Sequence, residues 1–453
     1  MNLVVLGAGG DLMSRYLLPA LVELEEAKRL PEDLEVVGIA RDGLDDDGFR
    51  DRMAEAADEH GEGELPESLR RRLRYLDGDA TDPELLGEAV GDGPAVVYLA
   101  LPPSAFEDVL EGLSEVGLAD GSRVVMEKPF GDGVASAERL NAMLHEVVPE
   151  AGAFRVDHFL GHQTVQNVLG LRFANPLFEA VWAATHVSRV DIVWDETLTV
   201  EGRAGFYDDT GALRDMVQNH LLQLLCLVAM EPPESLDPDD VRDRKVDVLR
   251  AIRTPDPSDA ADHSVRGRYG AGKIGDRDVP AYADEEGVDA DRETETFAEV
   301  RFFIDNPRWS GVPFVLRTGK ALQADRHDVT LHFHPVAHSP FGDGADAAQH
   351  LRLGIEPDEI DLAVALNGPG DPTVIEDGTL GCELAPAELG AYATVLAAVL
   401  EGDQLLSIRA DEAEEAWRIV APVIEAWEGG LVPLVEYAAG SDGPPGLLGD
   451  GDG

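Results

Sequence analysis

The stretch RVDHFLGHQ, residues 155–163, sets an aspartate beside a histidine, Asp157 and His158, and places a second histidine, His162, after a glycine. These residue types suit two kinds of chemistry. A carboxylate close to an imidazole holds its tautomer and raises its basicity, as a general base requires. A loop with two imidazoles can instead hold an anion. A third histidine, His220, stands in GALRDMVQNHLLQLLCLVAM (211–230). There Leu213, Met216, Val217, His220, Leu221 and Leu224 fall on one helical face. A histidine so placed is either a satisfied core residue or a base in apolar surroundings. Spacing alone does not say which imidazole Asp157 faces.

A second chemical signal lies at residues 7–12, GAGGDL, between the apolar run MNLVVL and helix-like residues. Backbone N–H groups at a strand–turn–helix junction can cradle a phosphate, and glycines allow the close approach. Gly7, Gly10, Asp11 and Leu12 form the candidate cradle. The third glycine of the usual fingerprint is absent, because position 12 is leucine, and a tight turn without a ligand has the same pattern. The next apolar run, LEVVGIA (34–40), ends at Arg41-Asp42. An acid at that strand end grips a ribose 2′-OH, whereas an arginine pairs with a 2′-phosphate. Arg41 leans towards NADP and Asp42 leaves NAD open.

The elements that must position these residues fall into two series. Apolar runs at 1–6, 34–40, AVVYLAL (95–101) and RVVMEKPFG (123–131) alternate with charged stretches of helical spacing. This alternation predicts an α/β doubly wound (Rossmann) domain over residues 1–150. Further on, VSRVDIVWDETLTV (187–200), TETFAEVRFFID (294–305), VPFVLRTGK (312–320), DVTLHFHPV (328–336) and IDLAVALN (360–367) succeed one another as strand-like runs. Two amphipathic helices, 211–230 and 410–427, accompany them. The pattern predicts a larger α+β domain with a mostly antiparallel sheet over 151–437. The Gly/Pro/Asp-rich end, 438–453, reads as a flexible tail.

Bulk composition narrows the partners. The 453 residues carry 89 acids against 36 bases, a net charge of −53. Such a chain repels nucleic acid and anionic membranes. Only five bases are lysines: Lys28, Lys128, Lys245, Lys273 and Lys320. A carboxylate-rich, lysine-poor surface suits concentrated salt, where a Debye length of roughly 3 Å at 1 M screens self-repulsion. A halophile's cytoplasm is the expected setting. The first residues read as a strand rather than a signal peptide. The two cysteines, Cys226 and Cys382, suggest neither a disulfide framework nor a metal site.

Taken in order, GGDL, YLALPP (98–103), MEKPFG (126–131), RVDHFLGHQTVQN (155–167), LRFANPLFEAVW, GRAGFYDDTGALRDMVQNHLLQ, NPRWSGVPFVLRTGK and EAWRIVAPVIEAW resemble the glucose-6-phosphate dehydrogenase family over nearly the whole chain. The resemblance implies oxidation of glucose 6-phosphate at C1 to the 6-phosphogluconolactone, with hydride passing to NADP or NAD. That is the first step of the oxidative pentose phosphate or Entner-Doudoroff route. It implies His220 as general base and Asp157 as the carboxylate paired with it. It implies His158 and His162 as phosphate ligands, and Glu196, Asp215, Lys128 and Lys320 around the sugar. Lys128 also faces the cofactor, with Pro102 a further cofactor contact and Pro129 a hinge. A homodimer or homotetramer, built through the antiparallel sheet, is implied on the same ground.

This chain departs from the family pattern where the phosphate binds. His162 replaces the lysine of G-K-E, and Phe159 replaces the tyrosine of D-H-Y. Ser14-Arg15-Tyr16 stands in place of a basic K-R-K. A further substrate lysine aligns near Asp325, with Arg326 adjacent. Each charge-assisted phosphate contact contributes on the order of 1.5–3 kcal/mol. Either arginines and His162 compensate, or a dehydrogenase of this fold acts on another sugar or sugar acid. A catalytically silent relative is a third reading, against which the intact Asp157, His220 and Lys128 set speaks.

Overall fold

The structure, a computed structural model, describes residues 1–60, 63–200, 202, 204–341, 349–371 and 373–449. Arg203 of the GRAGFYDD motif and residues 450–453 of the expected tail lie outside them. The chain divides into two compact units. Residues 1–162, 233–243 and 387–415 form the first, and 163–232, 244–386 and 416–453 the second.

In the first unit, β1 (Asn2–Leu6), β2 (Glu35–Ala40), β3 (Leu73–Asp77), β4 (Ala95–Leu99), β5 (Arg123–Glu127) and β6 (Ala153–Val156) pair in parallel. Their spatial order is β3-β2-β1-β4-β5-β6, and the short strand Ser407–Ile408 closes the β6 edge antiparallel. The runs VVL, VVGI and AVVYL are apolar on both faces because helices cover both, as a parallel sheet requires. The order reverses between β1 and β4, which opens a crevice at their C-terminal ends. The expected domain break near residue 150 is therefore misplaced: β6 extends the sheet, so the unit runs on to His162. The helix Ala391–Glu401 returns to the same core through Ala393, Leu396 and Val399.

The second unit holds a ten-stranded sheet. Val187–Asp195 lies near its middle, antiparallel to Arg326–Phe333 and parallel to Pro313–Gly319. Most other pairings are antiparallel, so the sheet is mixed. The predicted helix 211–230 forms, but residues Leu213–Leu221 wind as a π-helix before an α-helical stretch at Leu222–Ala229. The end of the chain is more ordered than its composition predicts. Leu434–Ala438 is an edge strand beside Ser264–Gly270. The Leu447 and Leu448 amides donate to the buried carboxyl of Glu299, whose pKa is raised by burial against the opposing pull of those bonds and of Arg317. Among the described residues, no helix is long and apolar enough to cross a membrane.

Candidate active site

The glycine turn after β1 is built for close approach. Gly7 has φ +89°, and a Cβ there would lie 2.3 Å from the Ala100 carbonyl oxygen. The Gly7 amide bonds to the Ile39 carbonyl at 2.8 Å, and Gly10 N–H closes back on Gly7 O at 3.0 Å. Asp11 and Leu12 then open the helix. At Gly9, a Cβ would meet the Asp42 carboxylate at 2.0 Å, so the loop runs directly against that side chain. Asp42 is ion-paired with Arg52. Arg41 is 78% exposed and reaches Asp79 at 3.4 Å. Pro102 follows β4, and Lys128 follows β5 through a cis bond to Pro129. All these residues stand at C-terminal strand ends of one sheet, where a doubly wound fold binds a dinucleotide. A cradle that any side chain would fill fits its pyrophosphate.

The Asp157–His162 loop rises from the neighbouring strand end. The β5–β6 register pairs Glu127 with Val156, so Lys128 and Asp157 leave the sheet side by side. Asp157 is fully buried, and its Oδ1 accepts the Phe159 amide at 3.0 Å. That bond turns the chain into a single 3-10 turn, His158–Gly161. Gly161 is required there, since a Cβ would sit 2.3 Å from the Ala391 carbonyl oxygen. The His158 ring stacks on Tyr392 at 4.7 Å and 14°, and Tyr392 stacks on Tyr16 at 4.8 Å. Tyr16 thus fills a position where the family pattern puts a base. Sequence reasoning missed Tyr392, because an aromatic on a helix face more than 230 residues away carries no local signal. It also passed over Glu127 within MEKPFG. Glu127 accepts the Tyr98 hydroxyl at 2.5 Å, and burial pushes its carboxyl up to about 7.

The second unit contributes another cluster. Lys320 Nζ lies 2.6 Å from Glu196 Oε2 and 5.7 Å from the Tyr207 ring centroid. Tyr207 is buried, and desolvation, then the nearby Asp215, Glu295 and Glu196 charges, hold its phenol protonated. Glu196, Asp215 and Lys320 therefore converge around Tyr207. His220 is 1% exposed on the π-helical stretch that also carries Asp215. Residues five apart point about 140° from each other on an α-helix. The wider π turn, with its i→i+5 bonds, narrows that angle between Asp215 and His220. The Asp325 carboxylate accepts the Thr197 amide at 2.6 Å. The adjacent Arg326 grips the buried Asp328 at 2.9 and 3.1 Å.

A glycine cradle on a doubly wound sheet, with an acid and an imidazole on the adjoining strand end, defines a nicotinamide-dinucleotide oxidoreductase. Comparison with known proteins then gives the family. Residues 4–167 match the glucose-6-phosphate dehydrogenase NAD binding domain and residues 169–448 its C-terminal domain. The chain belongs to the glucose-6-phosphate dehydrogenase family. It is 40% identical to the glucose-6-phosphate 1-dehydrogenase of Gluconobacter oxydans, covering 97% of this chain and 94% of that one. The Zymomonas mobilis protein of the same name is 38% identical, covering 98% and 96%. A crystal structure of glucose-6-phosphate 1-dehydrogenase from Mycobacterium avium is 36% identical with a TM-score of 0.85, covering 98% and 95%. A glucose-6-phosphate dehydrogenase in complex with its substrate glucose-6-phosphate gives 0.86 at 32% identity, covering 99% and 96%.

Gly7→Ala combines a forbidden φ with a backbone clash in the cradle. Its dissociation constant for NAD or NADP, measured by calorimetric titration, should rise about 100-fold or more, since 1.4 kcal/mol is a factor of ten and such overpacking costs about 1–3 kcal/mol or above. Gly93→Ala, where nothing lies within 4 Å and φ is not left-handed, is the control and should bind within a few-fold of the parent. Equal binding by all three proteins would remove the cradle from this turn.

Proposed function

We propose that this chain oxidises glucose 6-phosphate at C1 to 6-phosphogluconolactone with NAD or NADP as hydride acceptor. The carrying observation is the β5–β6 register: it sends Lys128 and Asp157 out together at the edge where the dinucleotide cradle lies. The relatives of that name, matched over their whole length, support it. The nicotinamide, when bound, supplies the hydride acceptor. In this reading His220 takes the proton of the C1 hydroxyl as the C1–H bond breaks and the lactone carbonyl forms, and Asp157 is the carboxylate partner of that base. Lys320, already neutralised by Glu196, keeps two N–H bonds for sugar hydroxyls, and Glu196 and Asp215 accept from them. Lys128 stands between sugar and cofactor. His158, held flat by Tyr392, and His162 receive the phosphate.

The thinned phosphate site is read as weaker binding of the same substrate rather than as another sugar, because whole-length relatives carry the glucose-6-phosphate name. Two further features extend this reading. Asp42 against the glycine loop favours the ribose 2′-OH of NAD over a 2′-phosphate. The acidic, lysine-poor surface suits a salt-rich cytoplasm, and Leu366 and Leu380, exposed on the outer strands of the second sheet, suit a homo-oligomer joined there.

Turnover at high salt with glucose 6-phosphate tests the assignment, and kcat/KM should be larger with NAD than with NADP. His220→Asn should lower kcat by about 10²–10⁴-fold, the usual share of general-base catalysis; a variant with full turnover would sink the base. His162→Lys should lower KM for the phosphorylated sugar most above pH 7, because an ordinary imidazole loses its charge near pH 6.5 while a lysine keeps its own. An unchanged KM at pH 8 would free His162 from the phosphate. Light scattering and thermal unfolding across a KCl series should show a homo-oligomer whose Tm falls as salt is withdrawn; a monomer of constant Tm would overturn both readings.

A further inference from the structure

The acid that follows β2 is held by a residue that no sequence motif marks. Arg52, on the helix Asp46–Glu59, places its Nη1 2.5 Å from Asp42 Oδ2. That same oxygen is the atom a Cβ at Gly9 would meet at 2.0 Å, so the guanidinium clamps the carboxylate against the glycine turn. The backbone of Asp42 is fixed independently. Its amide donates to the Tyr75 hydroxyl at 3.3 Å, and that hydroxyl donates to the Ala40 carbonyl at 2.8 Å. The next amide, of Gly43, donates to Asp77 at 2.7 Å. Phe49, one turn before Arg52, is buried with its ring centroid 5.1 Å from that of Tyr75, which docks the helix beside the strand end. Arg41, by contrast, is turned to the exposed Asp79 at 3.4 Å.

Two demands meet at the Asp42–Arg52 pair. A ribose 2′-OH donates to a carboxylate, whereas a 2′-phosphate is repelled by one and needs cations. A carboxylate paired with a guanidinium repels the phosphate less than one standing alone. We propose that Arg52 is a specificity-determining residue for the dinucleotide: it aims the Asp42 carboxylate at the ribose 2′-OH and, as the cation beside that position, keeps a 2′-phosphate admissible. Asp42 sets the preference for NAD, and Arg52 limits it. None of the roles implied by the family resemblance uses this arginine. The inference deepens the proposed reaction and rests on its dinucleotide site, not on its sugar.

Calorimetric titration of the full chain with NAD and with NADP, in one buffer at one salt concentration, tests the pair without turnover. The quantity read is the ratio of the two dissociation constants, NADP over NAD, because a merely structural defect weakens both dinucleotides alike. Both side chains of the pair are partly exposed, so removing it costs the fold little and the variants stay folded. Arg52→Gln should raise the ratio about three- to ten-fold, the effect of one charge at this range. Arg52→Lys keeps the charge and should restore most of the parent ratio.

Asp42→Asn releases the guanidinium and should tighten NADP binding about ten-fold or more, as one charge-assisted contact allows. The double variant Asp42→Asn/Arg52→Gln should lose most of that gain. A ratio unmoved by Arg52→Gln, or a double variant that keeps the whole gain of Asp42→Asn, would overturn the proposal. Turnover separates it from the reaction: these ratios in a protein that oxidises no sugar phosphate leave Arg52 its role and remove the proposed reaction, while unmoved ratios in an active enzyme do the reverse.

Discussion

One parallel rung, Glu127 opposite Val156, fixes where the chemistry of the first unit stands. Parallel strands share a direction, so their C-terminal ends leave the sheet on the same edge. Lys128, Asp157 and the glycine turn after Leu6 all emerge there. The backbone is crowded at that edge: Gly7 lies against Ala100, Gly9 against Asp42 and Gly161 against Ala391. Close backbone approach holds these loops without long side chains.

Scarce cations show how the charge is used. Of five lysines in a chain of net charge −53, Lys128 follows β5 in the first unit, Lys320 pairs with Glu196 in the second and Lys245 is 1% exposed. Lys273 pairs with Asp278 on a hairpin, and Lys28 occupies a left-handed turn. Arginine does most of the remaining pairing, and its forked guanidinium matches carboxylates in two contacts, as between Arg326 and Asp328.

Much of the architecture was legible. Continuous apolar runs separated by helical spacing gave the doubly wound sheet, and successive strand-like runs gave the broad second sheet. Five of its strands escaped notice: Ser264–Gly270, His350–Glu356, Ile375–Glu383, Leu434–Ala438 and the two-residue Ile252–Arg253. Arginine and glycine interrupt the first two, and acids and glycines dominate Ile375–Glu383, because edge strands face water and need little apolar content. The end of the chain misled for a similar reason. Gly/Pro/Asp composition describes flexibility in isolation, whereas the bonds from the Leu447 and Leu448 amides to Glu299 exist only in the folded sheet.

For the candidate site the division is sharper. The sequence by itself determined the residue types, their order and the family they resemble, because short motifs such as GAGGDL, MEKPFG and RVDHFLGHQ carry local geometry within them. It also showed which phosphate donors were missing. Tertiary structure alone decided what surrounds those residues. It set Tyr392 on His158, Tyr98 on Glu127, Asp42 against the glycine turn and Glu196 on Lys320. It also wound the stretch that carries Asp215 and His220 as a π-helix. The physical reason is distance along the chain. A side chain's ionisation and orientation depend on neighbours within a few ångströms, and here those neighbours come from strands and helices tens to hundreds of residues away, where no spacing rule reaches.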